Sequence, residues 1–247
     1  MTRNQCLMCG SRLPHNFDLK DLFTWGLIHR SSICPSCKGS IIRRLDFSHG
    51  NRCRGCCRQL NQACESPNAI YCKDCYRWLQ TYSSRYLNHT YLFEYKDTFR
   101  DWLFQYKYHG DYYLGELLAE DLQVEKRIYR DYHWLILPSS PASLAQRGFS
   151  AMGTILDMAG ISYSMPWEYI GDNCRQAHKS RQDRLKLKQP FRLKASELDH
   201  LKTLEKIIIF EDVYTTGATL MAAKRTLIEN ADIPGTTEIL SLSLVRE

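Results

Sequence analysis

The sequence predicts an α/β protein, a parallel sheet with flanking helices, preceded by a small cysteine-rich metal-binding module. Three observations predict this. From residue 91 onward, short apolar runs alternate with segments of helical periodicity, the pattern of successive βα units. Ten of the eleven cysteines fall within residues 6–75. A 247-residue chain that is 44% hydrophobic and 24% charged can build a core, which excludes a mainly disordered polypeptide.

The elements follow in chain order. Tyr91–Tyr95 (YLFEY) is expected as a strand. Thr98–Tyr108 is expected as a helix, with Asp97 as its cap and His109-Gly110 as its stop. Leu114–Tyr129 carries Leu114, Leu117, Leu118 and Leu122 on one face and is expected as a second helix. Trp134–Leu137 is expected as a buried strand ending at Pro138, followed by a helix over Gly148–Met158 and a short strand over Ile161–Tyr163. Lys206–Phe210 (KIIIF) is expected as a central strand, Thr216–Glu229 as a helix and Thr237–Val245 as the last strand. The boundary between the two parts is expected near residue 85: a zinc-binding module over 1–80 and the α/β domain over 85–247, with residues 76–82 as connector.

Eight of the cysteines form four Cys-x-x-Cys pairs: Cys6/Cys9, Cys34/Cys37, Cys53/Cys56 and Cys72/Cys75. Two intervening residues let both sulfurs reach one ion from a tight turn, and two such knuckles complete a tetrahedron, the arrangement of a structural Zn2+ site. Sequential pairing gives one site from Cys6, Cys9, Cys34 and Cys37 and another from Cys53, Cys56, Cys72 and Cys75. Spacing also allows a crossed pairing, and Cys57 beside Cys56 allows a ligand swap. Cys64 and Cys174 read as small filler residues. Four pairs in 70 residues argue against a redox dithiol.

Charge is unevenly distributed. Residues 1–80 hold 12 Lys/Arg and 5 Asp/Glu, a formal +7, against 21 and 22 in the remainder, a formal −1. Two zinc ions held by eight thiolates would reduce the +7 to +3. The longest stretch without a charged side chain, Trp134–Gln146, is too short to span a bilayer and holds two prolines. The first residues contain no apolar signal core, so a cytoplasmic protein without direct membrane insertion is expected, with any membrane association made through partners.

The stretch richest in chemistry is Ile207–Leu220 (IIIFEDVYTTGATL). An apolar strand runs into two acids, then into a hydroxyl- and glycine-rich turn that opens a helix. The turn over Val213, Tyr214, Thr215, Thr216, Gly217, Ala218 and Thr219 presents free backbone N–H groups to an anion, and Gly217 lets the backbone come close. Glu211 and Asp212 are placed for ribose hydroxyls or a bridging Mg2+. A phosphate end and a diol end together describe a ribose 5-phosphate. Arg147, between a strand end and a helix, is expected to hold a pyrophosphate or a DNA phosphate. Residues 173–195 hold eight Lys/Arg against one acid, among them Arg175, Lys179, Arg181 and Arg184, a stretch suited to a nucleic-acid backbone or to closure over a pyrophosphate. A second basic cluster is Arg43, Arg44, Arg52, Arg54 and Arg58. Ten of fifteen tyrosines lie between Tyr71 and Tyr113, where they can stack bases but are expected mainly to pack the first helix and the seam between the two parts.

FEDVYTTGAT resembles the phosphoribosyl-pyrophosphate signature of type I phosphoribosyltransferases, departing from it only in Glu211, where Asp is frequent. YKYHG (106–110) followed by GELLAEDL, LPSSPASLAQRGFS (137–150) and RQAHKSRQDRLKLKQPF (175–191) resemble elements of the ComF family of late competence proteins, of the ComFC type; the last lacks the usual Asn after its Arg. The resemblance covers roughly residues 50–247, with the knuckles at 6–37 as an extension. It implies a phosphoribosyltransferase-like fold and a role in taking single-stranded DNA into the cytoplasm during natural transformation. The implied partners are a helicase-like competence ATPase (ComFA type), single-stranded DNA, and phosphoribosyl pyrophosphate or a related nucleotide. It does not imply a defined reaction, and no catalytic residue is assigned. An active Mg2+-dependent phosphoribosyltransferase is the alternative, and a scaffold with a vestigial loop is a third reading.

Overall fold

A computed structural model describes residues 5–13, 32–48, 50–170 and 191–247. Its centre is a five-stranded parallel sheet of β1 (His89–Phe93), β2 (His133–Ile136), β3 (Tyr163–Ser164), β6 (Lys206–Tyr214) and β7 (Glu238–Arg246), in spatial order β1-β7-β6-β2-β3. β4 (Trp167–Tyr169) and β5 (Phe191–Leu193) form a separate antiparallel pair that sequence patterning missed. The helices are α1 (Pro35–Ile41), α2 (Lys73–Leu79), α3 (Asp97–Tyr108), α4 (Ala119–Ile128), α5 (Pro141–Arg147), α6 (Ala151–Met158), α7 (Leu198–Lys202) and α8 (Ala218–Asn230).

Both faces of the sheet are buried, as its continuous apolar strands require. Trp134, Ile136, Ile208, Phe210, Leu242 and Leu244 point to one face, where α3, α4 and α6 contribute Trp102, Leu122 and Ile155. Leu135, Ile207, Ile209 and Ile239 point to the other, covered by Leu220 and Leu227 of α8 and by Trp167 and Phe191 of the β4–β5 pair. The two cysteine groups separate in the same way. Cys6 and Cys34 join the first core and Cys53, Cys56, Cys72 and Cys75 the second. Residues 43–45 hydrogen-bond along the free edge of β1, through Leu45 N–H to Leu92 O at 3.0 Å and Glu94 N–H to Arg43 O at 2.9 Å. This covers an edge that would otherwise offer unpaired backbone groups.

Several sequence expectations shift. The Leu114–Tyr129 helix divides into a 3-10 helix over Tyr112–Leu118 and then α4. Trp102 Nε1 donates to Leu114 O at 3.1 Å, taking a carbonyl that a continuous helix would use. The helix expected over 148–158 begins at Ala151, capped by Ser150, because Gly148 adopts φ +80° to terminate α5. Lys96 rather than Asp97 occupies the cap position of α3, and Asp97 lies in its first turn. Residues 76–79 belong to α2 instead of a connector. β6 runs through the two acids to Tyr214, so the turn is shorter than the Val213–Thr219 span expected.

Candidate functional site

β6 pairs with β2 only as far as Phe210 but with β7 as far as Tyr214. Its last four residues therefore overhang the carboxyl end of β2, where the strand order reverses and open α/β sheets bind ligands. The overhang forms one wall of a cleft of about 470 Å³. Glu211, Asp212, Val213, Thr215 and Thr219 line that wall; Ser139 and Ser140 after β2, Arg147 at the end of α5, and Lys107 and Tyr108 at the end of α3 line the others. Tyr214, Thr216 and Gly217 are buried behind it. Thr216, expected in the anion-binding turn, accepts the Ala218 N–H through Oγ1 at 3.4 Å and the Trp78 indole N–H through its carbonyl at 2.8 Å. Gly217, at φ +78°, caps α8. The N-terminus of that helix opens onto the cleft beside Thr215 and Thr219, where its dipole favours negative charge.

The acids are not an open dicarboxylate. Asp212 makes an ion pair with Lys107. Glu211 is 8% exposed and lies in the fields of Lys107 and Lys224. Lys224 is fully buried and donates to Tyr86 O at 3.2 Å and Asn88 O at 3.1 Å. Burial pushes Glu211 up to about 8, against the pull of the two lysines, so its carboxyl carries a proton at neutral pH and can donate to a ligand oxygen. Burial, reinforced by Arg147, draws Lys107 down, opposed by Glu211 and by the paired Asp212 carboxylate; burial draws Lys224 to about 7. Arg147 donates to Ser139 Oγ at 3.2 Å, its Nε is buried without a hydrogen-bond partner, and among the described residues no carboxylate pairs with it. Neither lysine was singled out by sequence reasoning. Lys107 sits inside the YKYHG run, and Lys224 breaks the apolar face of Leu220, Ala223 and Leu227, a signal that was available.

The protonated Glu211 has a measurable signature. Its folded pKa lies above the unfolded value of 4.5, so the folded state holds the extra proton and the wild type loses stability as pH rises from 4.5 through about 8. The lysines contribute in the opposite direction only above pH 7. Between pH 5 and 7, Glu211→Gln should gain stability relative to wild type with rising pH, by at most about 1.4 kcal/mol per pH unit. Denaturant titrations across that range would return parallel curves if Glu211 ionised normally.

The cysteine pairs resolve into the sequential arrangement. Cys6, Cys9, Cys34 and Cys37 form one group and Cys53, Cys56, Cys72 and Cys75 the other, the four sulfurs of each within 4.8 Å of one another. Cys57 belongs to neither group, which excludes the swap with Cys56. The Cys9–Cys34 and Cys56–Cys72 sulfurs are 3.8 and 3.7 Å apart. A tetrahedron of Zn–S bonds about 2.3 Å long has edges of about 3.8 Å, so the donor sets fit Zn2+. Backbone N–H groups of Cys34 and Cys72 donate to Cys6 and Cys53 Sγ at 3.3 and 3.2 Å, as ligating thiolates require.

The second group is joined to the cleft wall. Trp78, on α2 just after Cys75, holds Thr216 O; Tyr214 stacks on His89 at 4.0 Å, and Arg246 lies over its ring at 5.2 Å. His89 Nδ1 and Nε2 lie 3.2 Å from Ser241 and Ser243 Oγ, and burial keeps the ring neutral. The arginine cluster of residues 43–58 is partly committed to the fold. Arg44 pairs with Asp121 and Glu125, and Arg52 donates to Cys57 O and Asp46 O. Arg175, Lys179, Arg181 and Arg184 lie outside the described residues. Among the described residues no helix is long and apolar enough to cross a membrane.

No family model matches the chain. It is 27% identical over 244 residues to the competence protein ComFC of Streptococcus pneumoniae, covering 98% of this chain and all of that protein. It is 25% identical over 246 residues to the competence protein ComFC of Bacillus subtilis, covering 98% of this chain and 94% of that protein.

Proposed function

From its full-length relationship to ComFC-type competence proteins, we propose that this chain is a competence factor that handles incoming single-stranded DNA during natural transformation and holds a phosphoribosyl group in the β6 cleft. The observation that carries the ligand assignment is the facing of the overhanging Glu211–Asp212 pair and the α8 N-terminus by Lys107 and Arg147. Anions at one end and hydroxyls at the other are what that arrangement recognises. The ligand is phosphoribosyl pyrophosphate or a related nucleotide, or the corresponding unit of DNA. Arg147 and the backbone N–H groups after Gly217 bind phosphate, Glu211 and Asp212 orient ribose hydroxyls, and Lys107 is released from Asp212 to follow the phosphates. Mg2+ enters with a diphosphate ligand, since Lys107 already neutralises Asp212.

The two four-cysteine sites hold structural Zn2+, and the cysteine-rich part over residues 1–80 serves the sheet-bearing part over 85–247. The protein works in the cytoplasm with a helicase-like ATPase of the ComFA type, and membrane association, where it occurs, comes through such partners. The test is fluorescence anisotropy of labelled single-stranded DNA with the zinc-loaded full chain, over a salt series, with and without Mg2+ and phosphoribosyl pyrophosphate. Salt-sensitive binding weakened by the small ligand is expected. Arg147→Ala should weaken the small ligand at least tenfold, as loss of a charged hydrogen-bonding partner does. DNA binding absent at low salt would overturn the DNA role. The second reading, an active phosphoribosyltransferase, is favoured by the cleft's volume, and pyrophosphate release with a candidate base would support it.

A further inference from the structure

Most tyrosines of the 71–113 stretch are wholly or partly buried, but the end of α3 and the turn after it behave differently. Phe104, Tyr108, Tyr112 and Tyr113 are 53%, 39%, 44% and 52% exposed. Of the large exposed aromatics among the described residues, only Phe47 lies elsewhere. Phe104 meets Tyr108 at 5.0 Å and His109 at 5.5 Å, and Tyr112 meets Tyr113 at 5.8 Å and Phe149 at 5.7 Å. The 3-10 conformation at 112–118 turns Leu114, Leu117 and Leu118 inward while leaving the two tyrosines outside. Such rings normally bury a large area, and two exposed aromatic pairs, one at the end of α3 and one in the turn after it, mark a contact surface.

We propose that this aromatic face is where the bases of a single-stranded nucleic acid stack, with the backbone phosphates running into the β6 cleft past Lys107 and Arg147. The proposal rests on the DNA-handling reading and adds a location to it. Charge selects the occupant. Phe104 and Tyr108 line the same cleft as Lys107 and Arg147, and Arg147 carries a positive charge with no carboxylate partner among the described residues. Aromatic rings beside the unpaired Arg147, opening onto an anion-binding helix end, suit a strand that alternates flat bases with phosphates. An apolar protein surface would leave Arg147 without a counter-charge.

The experiment compares labelled oligo-dT with an abasic oligonucleotide of equal length and charge, using the zinc-loaded full chain. The abasic strand should bind the wild type at least tenfold more weakly. Tyr108→Leu and Tyr112→Leu should each weaken oligo-dT about five- to tenfold, leave abasic binding and the salt slope unchanged, and remove the quenching of a 2-aminopurine placed in the strand. Phe47→Leu, the remote exposed aromatic, should bind oligo-dT as wild type does. Because the replaced rings are exposed, thermal midpoints should stay at the wild-type value. Equal wild-type affinity for the two strands, or leucine variants that bind oligo-dT unchanged, would overturn this placement while leaving DNA handling intact. A wild type that binds neither strand would overturn both.

Discussion

With zinc in both four-cysteine groups as proposed, Cys75→Ala should remove one of the two ions, release Trp78, and abolish binding of phosphoribosyl pyrophosphate although none of the described cysteines lines the cleft. Cys75 is buried among Cys53, Cys56 and Cys72, and the next turn of α2 carries Trp78, whose indole N–H holds Thr216 O at 2.8 Å. A structural zinc site in a small module is worth about 10–16 kcal/mol in isolated fingers, more than the roughly 5–15 kcal/mol of a whole domain. A three-cysteine remnant therefore leaves α2 without an anchor, and the 214–217 turn loses the contact that fixes its carbonyl. Metal content, tryptophan emission and ligand titration should change together. Cys9→Ser is the control. Cys9 is exposed and its group packs on the opposite face of the sheet, so metal content should fall with ligand affinity kept within about twofold. A Cys75→Ala chain with one zinc and unaltered ligand affinity would disprove the coupling.

Gly217→Ala should cost about 2–5 kcal/mol and reduce ligand affinity by more than tenfold. Gly217 sits at φ +78°, which costs an L-residue about 1–2 kcal/mol, and an added Cβ would overlap the Tyr214 phenol oxygen and lie 2.7 Å from its Cζ. Overpacking of that kind costs about 1–3 kcal/mol more. The two parts separate in a double variant. Tyr214 Oη is buried and has no hydrogen-bond partner, so Tyr214→Phe alone should be neutral or slightly stabilising. Combined with Gly217→Ala it should recover part of the overlap but none of the backbone strain. Equal stability of Gly217→Ala and the double variant, measured by urea unfolding, would show that the phenol is not what the glycine accommodates.

Much of this was legible in the sequence because the signals were periodic or chemically rigid. KIIIF and the first half of YLFEY read plainly as buried strands, although β1 runs over His89–Phe93 and stops before Glu94, and the Cys-x-x-Cys spacing marked eight candidate ligands, though only the fold chose sequential over crossed pairing. Glu211, Asp212, Thr215 and Thr219 reach the cleft as the strand–turn–helix pattern implies. The rest depended on distant packing. Lys107 meets Asp212 across more than a hundred residues, and Trp78 reaches Thr216 across 138. Neither contact has a local sequence signature. The inward turn of Thr216 follows from that tryptophan, and the breakdown of the Leu114–Tyr129 helix follows from Trp102 capturing one carbonyl. Tyrosine clustering carried no directional information until the 3-10 turn separated Tyr112 and Tyr113 from their buried neighbours.

The position of β7 between β1 and β6 has a kinetic consequence. Among the described residues, β1 at residues 89–93 finds its sheet partner at residues 241–245 of β7. Until that strand is synthesised, the described residues offer β1 only the short segment at 43–45, and Tyr214 lacks both its Arg246 cover and the Glu247 N–H that closes onto its carbonyl at 2.9 Å. Closure over some 150 residues is slow, and the unpaired strand is open to association in the interval. Assembly of the sheet, and with it the shaping of the cleft, is therefore a late event governed by the carboxyl-terminal strand. Nascent chains stalled before residue 238 should remain sensitive to protease between β1 and α3, and should become resistant once residue 246 is clear of the ribosome.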